Sequence, residues 1–158
     1  MRQRGLTLIE LLVSLVILSL LAGAALPFAE KTIQREREFE LRSALREMRT
    51  AIDRFHKDWK LGKLSRVDNV ASEDGFPRSL ALLVEGVPRA GTTDRREKYL
   101  RRIPRDPFAD GTIAASEQWQ WIGYQDAPDT TQSNVRDVYD VRSKSERQAL
   151  DGSHYRDW

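Results

Sequence analysis

The chain has 158 residues, a formal net charge of +2 and no cysteine. That length holds one small folded domain, and without cysteine its loops must be held by packing, hydrogen bonds or an ion rather than by disulfides. Setting aside Arg2 and Arg4 leaves 24 basic against 24 acidic side chains, so the basic isoelectric point is weak grounds for a nucleic-acid partner.

The stretch 6–28 is apolar, with Glu10 its one charged residue. As a helix it is about 34 Å long, enough to cross a hydrocarbon core of about 30 Å. Arg2 and Arg4 precede it, which keeps the amino-terminal end in the cytoplasm. Everything after Phe28 is polar enough to live in water, so the sequence reads as a soluble head on one membrane span. Glu10 is the informative residue. A carboxylate within a span costs about 2.5–3.5 kcal/mol on insertion scales and marks function. Gly5 follows a basic residue, and cleavage after it would leave Leu6 with a free α-amine four residues before Glu10. A carboxylate in hydrocarbon needs a cation, and the first amine of a neighbouring copy, slightly offset along the axis, could supply it. The competing reading is a conventional secretory signal cut near Ala22-Gly23-Ala24. The very short charged region and Glu10 inside the apolar core oppose it.

The run Arg4-Gly5-Leu6-Thr7-Leu8-Ile9-Glu10-Leu11-Leu12-Val13 resembles the class III signal of type IV pilins and of the pseudopilins of type II secretion. The resemblance implies that a prepilin peptidase cuts between Gly5 and Leu6 and N-methylates Leu6. It makes Glu10 the assembly glutamate and Pro27 the helix-bending proline of that family. The implied partition is a leader at 1–5, a transmembrane and filament-core helix at 6–28, and a periplasmic head at 29–158 that includes the amphipathic half of the long helix.

From 30 to 63 the helix is expected to continue into water, with no Pro or Gly until Gly62. Leu41, Leu45, Met48, Ile52, Phe55 and Trp59 recur at spacings of 4, 3, 4, 3 and 4, one apolar face directed at the head's own core. Glu47, Arg49, Asp53 and Arg54 fall between them and read as the solvated face. Before Leu41 the stripe thins to Ile33 and Phe39, and this upper segment is expected to pack on neighbouring subunits. Pro27 is expected to bend the helix by removing a backbone donor.

A short helix is predicted over 79–85, with Pro77 suited to its start and Gly86 to its end. The stretch 87–96 reads as a turn-rich loop. Tyr99-Leu100-Arg101-Arg102-Ile103-Pro104-Arg105-Asp106-Pro107-Phe108 has two prolines three apart, which excludes helix and central strand. Its apolar residues are expected to pin an irregular segment onto the core. This segment is similar to the signature of the major pseudopilin of type II secretion, with Phe108 where that family has tryptophan. The aromatic-rich run 118–124 reads as a strand, 126–134 as a hairpin loop, and 135–141 as the returning strand, with Val138 and Tyr139 pairing across to the tryptophans. An extra strand is expected around 111–115. In the tail, Leu150, Tyr155 and Trp158 are candidate anchors.

The fold class is therefore α+β, a type IV pilin-like fold with a long amino-terminal helix packed on a small antiparallel sheet with irregular loops. The same resemblance implies calcium in the carboxy-terminal loop, for which Asp140, Ser143, Ser145 and Asp151 are the candidates by location. Basic residues interrupt the loop and no Asp-x-Asp pattern appears. His56 and His154 lack metal-ligand spacing, and no nucleophile elbow or phosphate loop is present, so no enzymatic activity is expected. The expected role is a pseudopilus subunit, a homo-oligomer in a filament, partnered by prepilin peptidase, the inner-membrane assembly platform and minor pseudopilins. The alternative is a type IV pilin in adhesion, motility or DNA uptake, touching DNA through Arg101, Arg102 and Arg105.

Overall fold

The computed structural model describes residues 7–66, 70–92, 95–127, 130 and 136–158, with the backbone alone at 24–27. A single helix, α1 (Leu8–Lys60), runs through two compact units, residues 1–36 and 37–158.

In the first unit the described apolar side chains lie open, from Leu8 to Leu21, and the helix carries a window long and apolar enough to cross a membrane, none of it buried. Hydroxyls inside an apolar stretch need acceptors that do not depend on water. Ser14 and Ser19 find them one turn back, donating to the carbonyls of Glu10 and Leu15 at 2.8 Å each. The helix is assigned without a break through position 27; the side chain of Pro27 lies outside the described residues. Ile33 is exposed in this unit, as Phe39 is in the second.

In the second unit the apolar period does what its spacing predicts. Leu41, Leu45, Met48, Ile52 and Phe55 are buried, with Trp59 half-buried at their end. The helix stops by satisfying its last carbonyls. Lys63 N donates to Asp58 O and Gly62 N to Trp59 O, both at 3.0 Å. This Schellman closure needs a left-handed residue, supplied by Gly62 at φ 69°. Helix α2 (Leu80–Glu85) follows and buries Leu80 and Leu83. Pro77 stands before its cap, Ser79, not inside the first turn. Gly86, at φ 86°, closes α2 through its N–H to Leu82 O. A Cβ there would meet Arg96 Cβ at 3.1 Å, so the glycine also lets the next two strands approach.

Those strands correct the reading of 87–96 as loop alone. β1 (Val87–Pro88) and β2 (Arg96–Glu97) form a two-residue antiparallel ladder, too short to leave a period in the sequence. The tryptophan strand is shorter than expected, β3 (Trp119–Ile122), and its partner is β4 (Asp140–Ser143). The returning strand starts later than 135 because its first described residues are engaged elsewhere. Asp137 accepts from Tyr124 N at 2.9 Å, and Val138 N donates to Pro77 O at 2.8 Å. Trp121 therefore faces Val141 and Trp119 faces Ser143; Val138 and Tyr139 do not pair across to the tryptophans. Position 135 and most of the hairpin loop lie outside the described residues. The strand expected around 111–115 is absent. That stretch turns into a 3-10 helix, Ala115–Glu117, and the Gln118 amide ties it down by donating to Asp110 O at 3.3 Å and Ile113 O at 2.9 Å.

Among the described residues the expected single sheet is thus two small antiparallel sheets, β1–β2 and β3–β4. Trp119 and Val141 join the α1 stripe and α2 in one buried cluster.

Candidate functional site

Two regions carry the residues singled out by the sequence. The first is the start of α1. Gly5 and Leu6 lie outside the described residues. Thr7 receives the Glu10 N–H on its carbonyl at 3.1 Å and on its hydroxyl at 3.3 Å, which places Thr7 at the N-cap and Glu10 three residues into the helix, the order of a capping box. An acid in a first turn is favoured by the helix dipole. The Glu10 side chain is exposed, and among the described residues no cation pairs with it. A carboxylate held on the first turn of an apolar helix, with no counter-charge among the described residues, suits a cation from another molecule.

The second region is the carboxy-terminal segment with the α1 face beneath it. Arg49 was expected in the solvated face; it is half-buried instead. Its Nε donates to Asp140 Oδ1 at 2.7 Å, and one terminal nitrogen donates to Asp140 Oδ2 at 3.4 Å, Val141 O at 3.2 Å and the Trp158 main-chain oxygen at 2.8 Å. Eleven residues earlier, Glu38 is buried and its Oε1 accepts from Leu150 N at 2.8 Å and the Tyr155 hydroxyl at 2.9 Å. Arg42 lies 4.1 Å from the Trp158 ring centroid and 3.6 Å from Asp151. Of the three expected anchors, Tyr155 is fully buried and Trp158 half-buried, while Leu150 is 40% exposed and contributes its backbone, with Ala149 buried in its place.

The four calcium candidates do not fit a cation cage. Calcium takes about six to eight oxygens, several of them carboxylate. The Asp140 carboxylate is committed to a guanidinium. The Ser143 hydroxyl donates to Asp106 Oδ2 and accepts from Ser145 N at 3.0 Å. Asp151 accepts from the Ser153 hydroxyl at 2.6 Å and amide at 3.0 Å; these bonds, the hydroxyl's first, hold its carboxyl below the usual range. Among the described residues no three of His, Cys, Asp or Glu are grouped to hold a metal.

The segment 99–108 joins this region to the core. Tyr99 and Leu100 are buried, and Ile103 and Phe108 pack against the core from its edge. Pro104 O accepts the Trp119 indole N–H at 2.9 Å. Asp106, buried after the first proline, accepts from Phe108 N at 2.8 Å as well as from Ser143, fastening the irregular chain to β4. Arg101, Arg102 and Arg105 are exposed, and Arg105 donates to Gly111 O at 2.8 Å. At the end of α1 the Tyr99 hydroxyl donates to Asp58 at 3.1 Å. Burial, then the Asp58 charge, pushes the Tyr99 phenol well above its ordinary value. Partial burial pulls the Asp58 carboxyl up, but hydrogen bonds from Lys63 and Tyr99 outweigh it and Asp58 ionises below the usual range.

A raised phenol contributes stability that is intact below the ordinary tyrosine value, about 10, and is lost as pH rises through the folded value. Tyr99→Phe is expected to cost about 1 kcal/mol at neutral pH. It is also expected to flatten the loss of stability above about pH 10, measured by urea unfolding across the alkaline range. Equal alkaline slopes for both proteins would contradict the Tyr99–Asp58 assignment.

His56, which lacks metal-ligand spacing in the sequence, is half-buried. It stacks on Phe76 at 4.0 Å, with Nδ1 3.1 Å from Gly75 O.

Comparison with known families finds the prokaryotic N-terminal methylation motif over residues 1–26. No curated protein and no solved structure matches the chain. The motif marks type IV pilin-like substrates of prepilin peptidase, a class of membrane-associated structural subunits. With the long helix and small antiparallel sheets, the architecture is an α+β, pilin-like fold.

Proposed function

We propose that the chain is a structural subunit of a type II secretion pseudopilus. In this reading prepilin peptidase cuts between Gly5 and Leu6 and methylates Leu6, the helix waits in the inner membrane with its head in the periplasm, and copies assemble into a helical filament that helps export folded proteins. The methylation motif carries this reading. Support for the processed helix as filament core comes from the unburied apolar face of α1 and from Glu10, which lacks a cation among the described residues. Support for the pseudopilus over a type IV pilus comes from the segment 99–108, which resembles the major pseudopilin signature and whose apolar residues pack on the core. Burying stalk surface against neighbouring stalks drives assembly, at up to about 25 cal/mol per Å² leaving water and less where it leaves lipid. The Leu6 amine meeting a neighbour's Glu10 fixes the axial offset. The assembly platform and minor pseudopilins are the partners this role requires.

Exposed Arg101 and Arg102 give the type IV pilin alternative its one specific feature, a basic edge open to DNA. Deleting the chain from its native cell separates the two. The pseudopilus reading expects folded proteins to accumulate in the periplasm while adhesion, motility and DNA uptake persist. Normal export with loss of any of those three assigns the chain to a pilus.

A further inference from the structure

Glu38, Arg42, Leu45 and Arg49 are spaced 4, 3 and 4 apart, one face of α1. Its charged members all reach the carboxy-terminal segment. Glu38 takes the middle of the segment through Leu150 N and the Tyr155 hydroxyl. Arg42 covers the Trp158 ring. Arg49 gathers one carboxylate and two main-chain oxygens from positions 140, 141 and 158. A positive centre that draws a carboxylate and backbone oxygens from separate parts of a loop is the chemistry a bound divalent cation performs. A guanidinium delivers it through fixed, directional donors.

We propose that α1 closes this loop itself: the Arg49 guanidinium stands in for the divalent cation, and the carboxy-terminal segment is fastened with no metal requirement. The resemblance that suggests calcium therefore stops at this loop. The charge arithmetic favours the exchange. Asp140 and Arg49 are half-buried and neutralise each other, whereas a calcium ion at Asp140 would face a fixed cation. Glu38 completes the clamp from the opposite sign, as the acceptor for Leu150 N and the Tyr155 hydroxyl.

The test is limited trypsin digestion of the full chain in detergent, following cleavage after exposed Arg147 relative to cleavage after Arg95, which lies outside the clamp. Wild type is expected to show the same ratio in calcium chloride and in excess EGTA. Arg49→Met, which keeps the aliphatic stem, is expected to raise the ratio about tenfold, because cleavage tracks the population of the opened segment; added calcium will not lower it. Asp140→Asn gives a second reading should Arg49→Met unfold the whole head, since its ratio also rises while the head remains folded. Protection of wild type by calcium, or faster cleavage in EGTA, overturns the proposal, as does an Arg49→Met or Asp140→Asn ratio equal to wild type. None of these outcomes depends on which filament the chain joins.

Discussion

Replacing Glu10 with alanine is expected to leave the protein inserted and its head folded, and to stop copies from assembling into filaments. Insertion will not suffer, because losing a carboxylate lightens the cost of placing that turn in hydrocarbon by up to about 2.5–3.5 kcal/mol. The helix start retains its Thr7 cap, which uses the backbone N–H of residue 10 and not its side chain. What the variant loses is the one charge in the apolar run that can fix a neighbour's axial position. Without it, apolar stalks still attract but have no preferred offset, and a helical lattice needs one. Glu10→Gln separates charge from hydrogen bonding: a pairing that depends on the Leu6 ammonium expects it to fail like alanine. The measurement is the amount of protein that chemical crosslinking of whole cells captures as multimers, relative to the monomer. Multimers from Glu10→Ala at wild-type abundance would end the pairing account.

The second large effect is expected at Trp119. Its side chain is almost completely buried, and it sits where β3, the segment 99–108 and the α1 core meet. Trp119→Ala opens a cavity and strands the Pro104 carbonyl, and a cost of about 3–5 kcal/mol is expected. Trp119→Phe keeps most of the packing and removes the 2.9 Å bond to Pro104 O, at an expected cost nearer 1 kcal/mol. Denaturant unfolding followed by the remaining tryptophans gives both values. A Trp119→Ala loss below about 1 kcal/mol would show that the junction does not hold the head together.

How far the sequence foresaw the molecule depends on the range of the forces involved. The α1 stripe was legible because helical period and burial are local: Leu41, Leu45, Met48, Ile52 and Phe55 announce their face by spacing alone. The irregular segment 99–108 was legible because two prolines forbid the alternatives. Arg49 and Glu38 were misplaced or missed for the opposite reason. A charged residue beside an apolar stripe belongs to water unless a partner returns from far along the chain, and here the partners lie about a hundred residues away. The one signal that could have found them is the spacing Glu38, Arg42, Arg49, a charged stripe alongside the apolar one. The register of β4 failed because Asp137 and Val138 spend their bonding on Tyr124 and Pro77, contacts no strand pattern encodes. The calcium candidates were chosen by location, and location could not reveal that Asp140 already held a guanidinium.

The proposed assembly depends most on a cut between Gly5 and Leu6, which would create a new amino terminus. Mass spectrometry of the mature amino-terminal peptide, from cells that contain the peptidase, tests it directly. The expected result is a chain beginning at N-methylated Leu6. A chain that retains residues 1–5 would leave Glu10 without a Leu6 amine to meet, and one that begins near Ala25 would lack Glu10 itself; either result would contradict it.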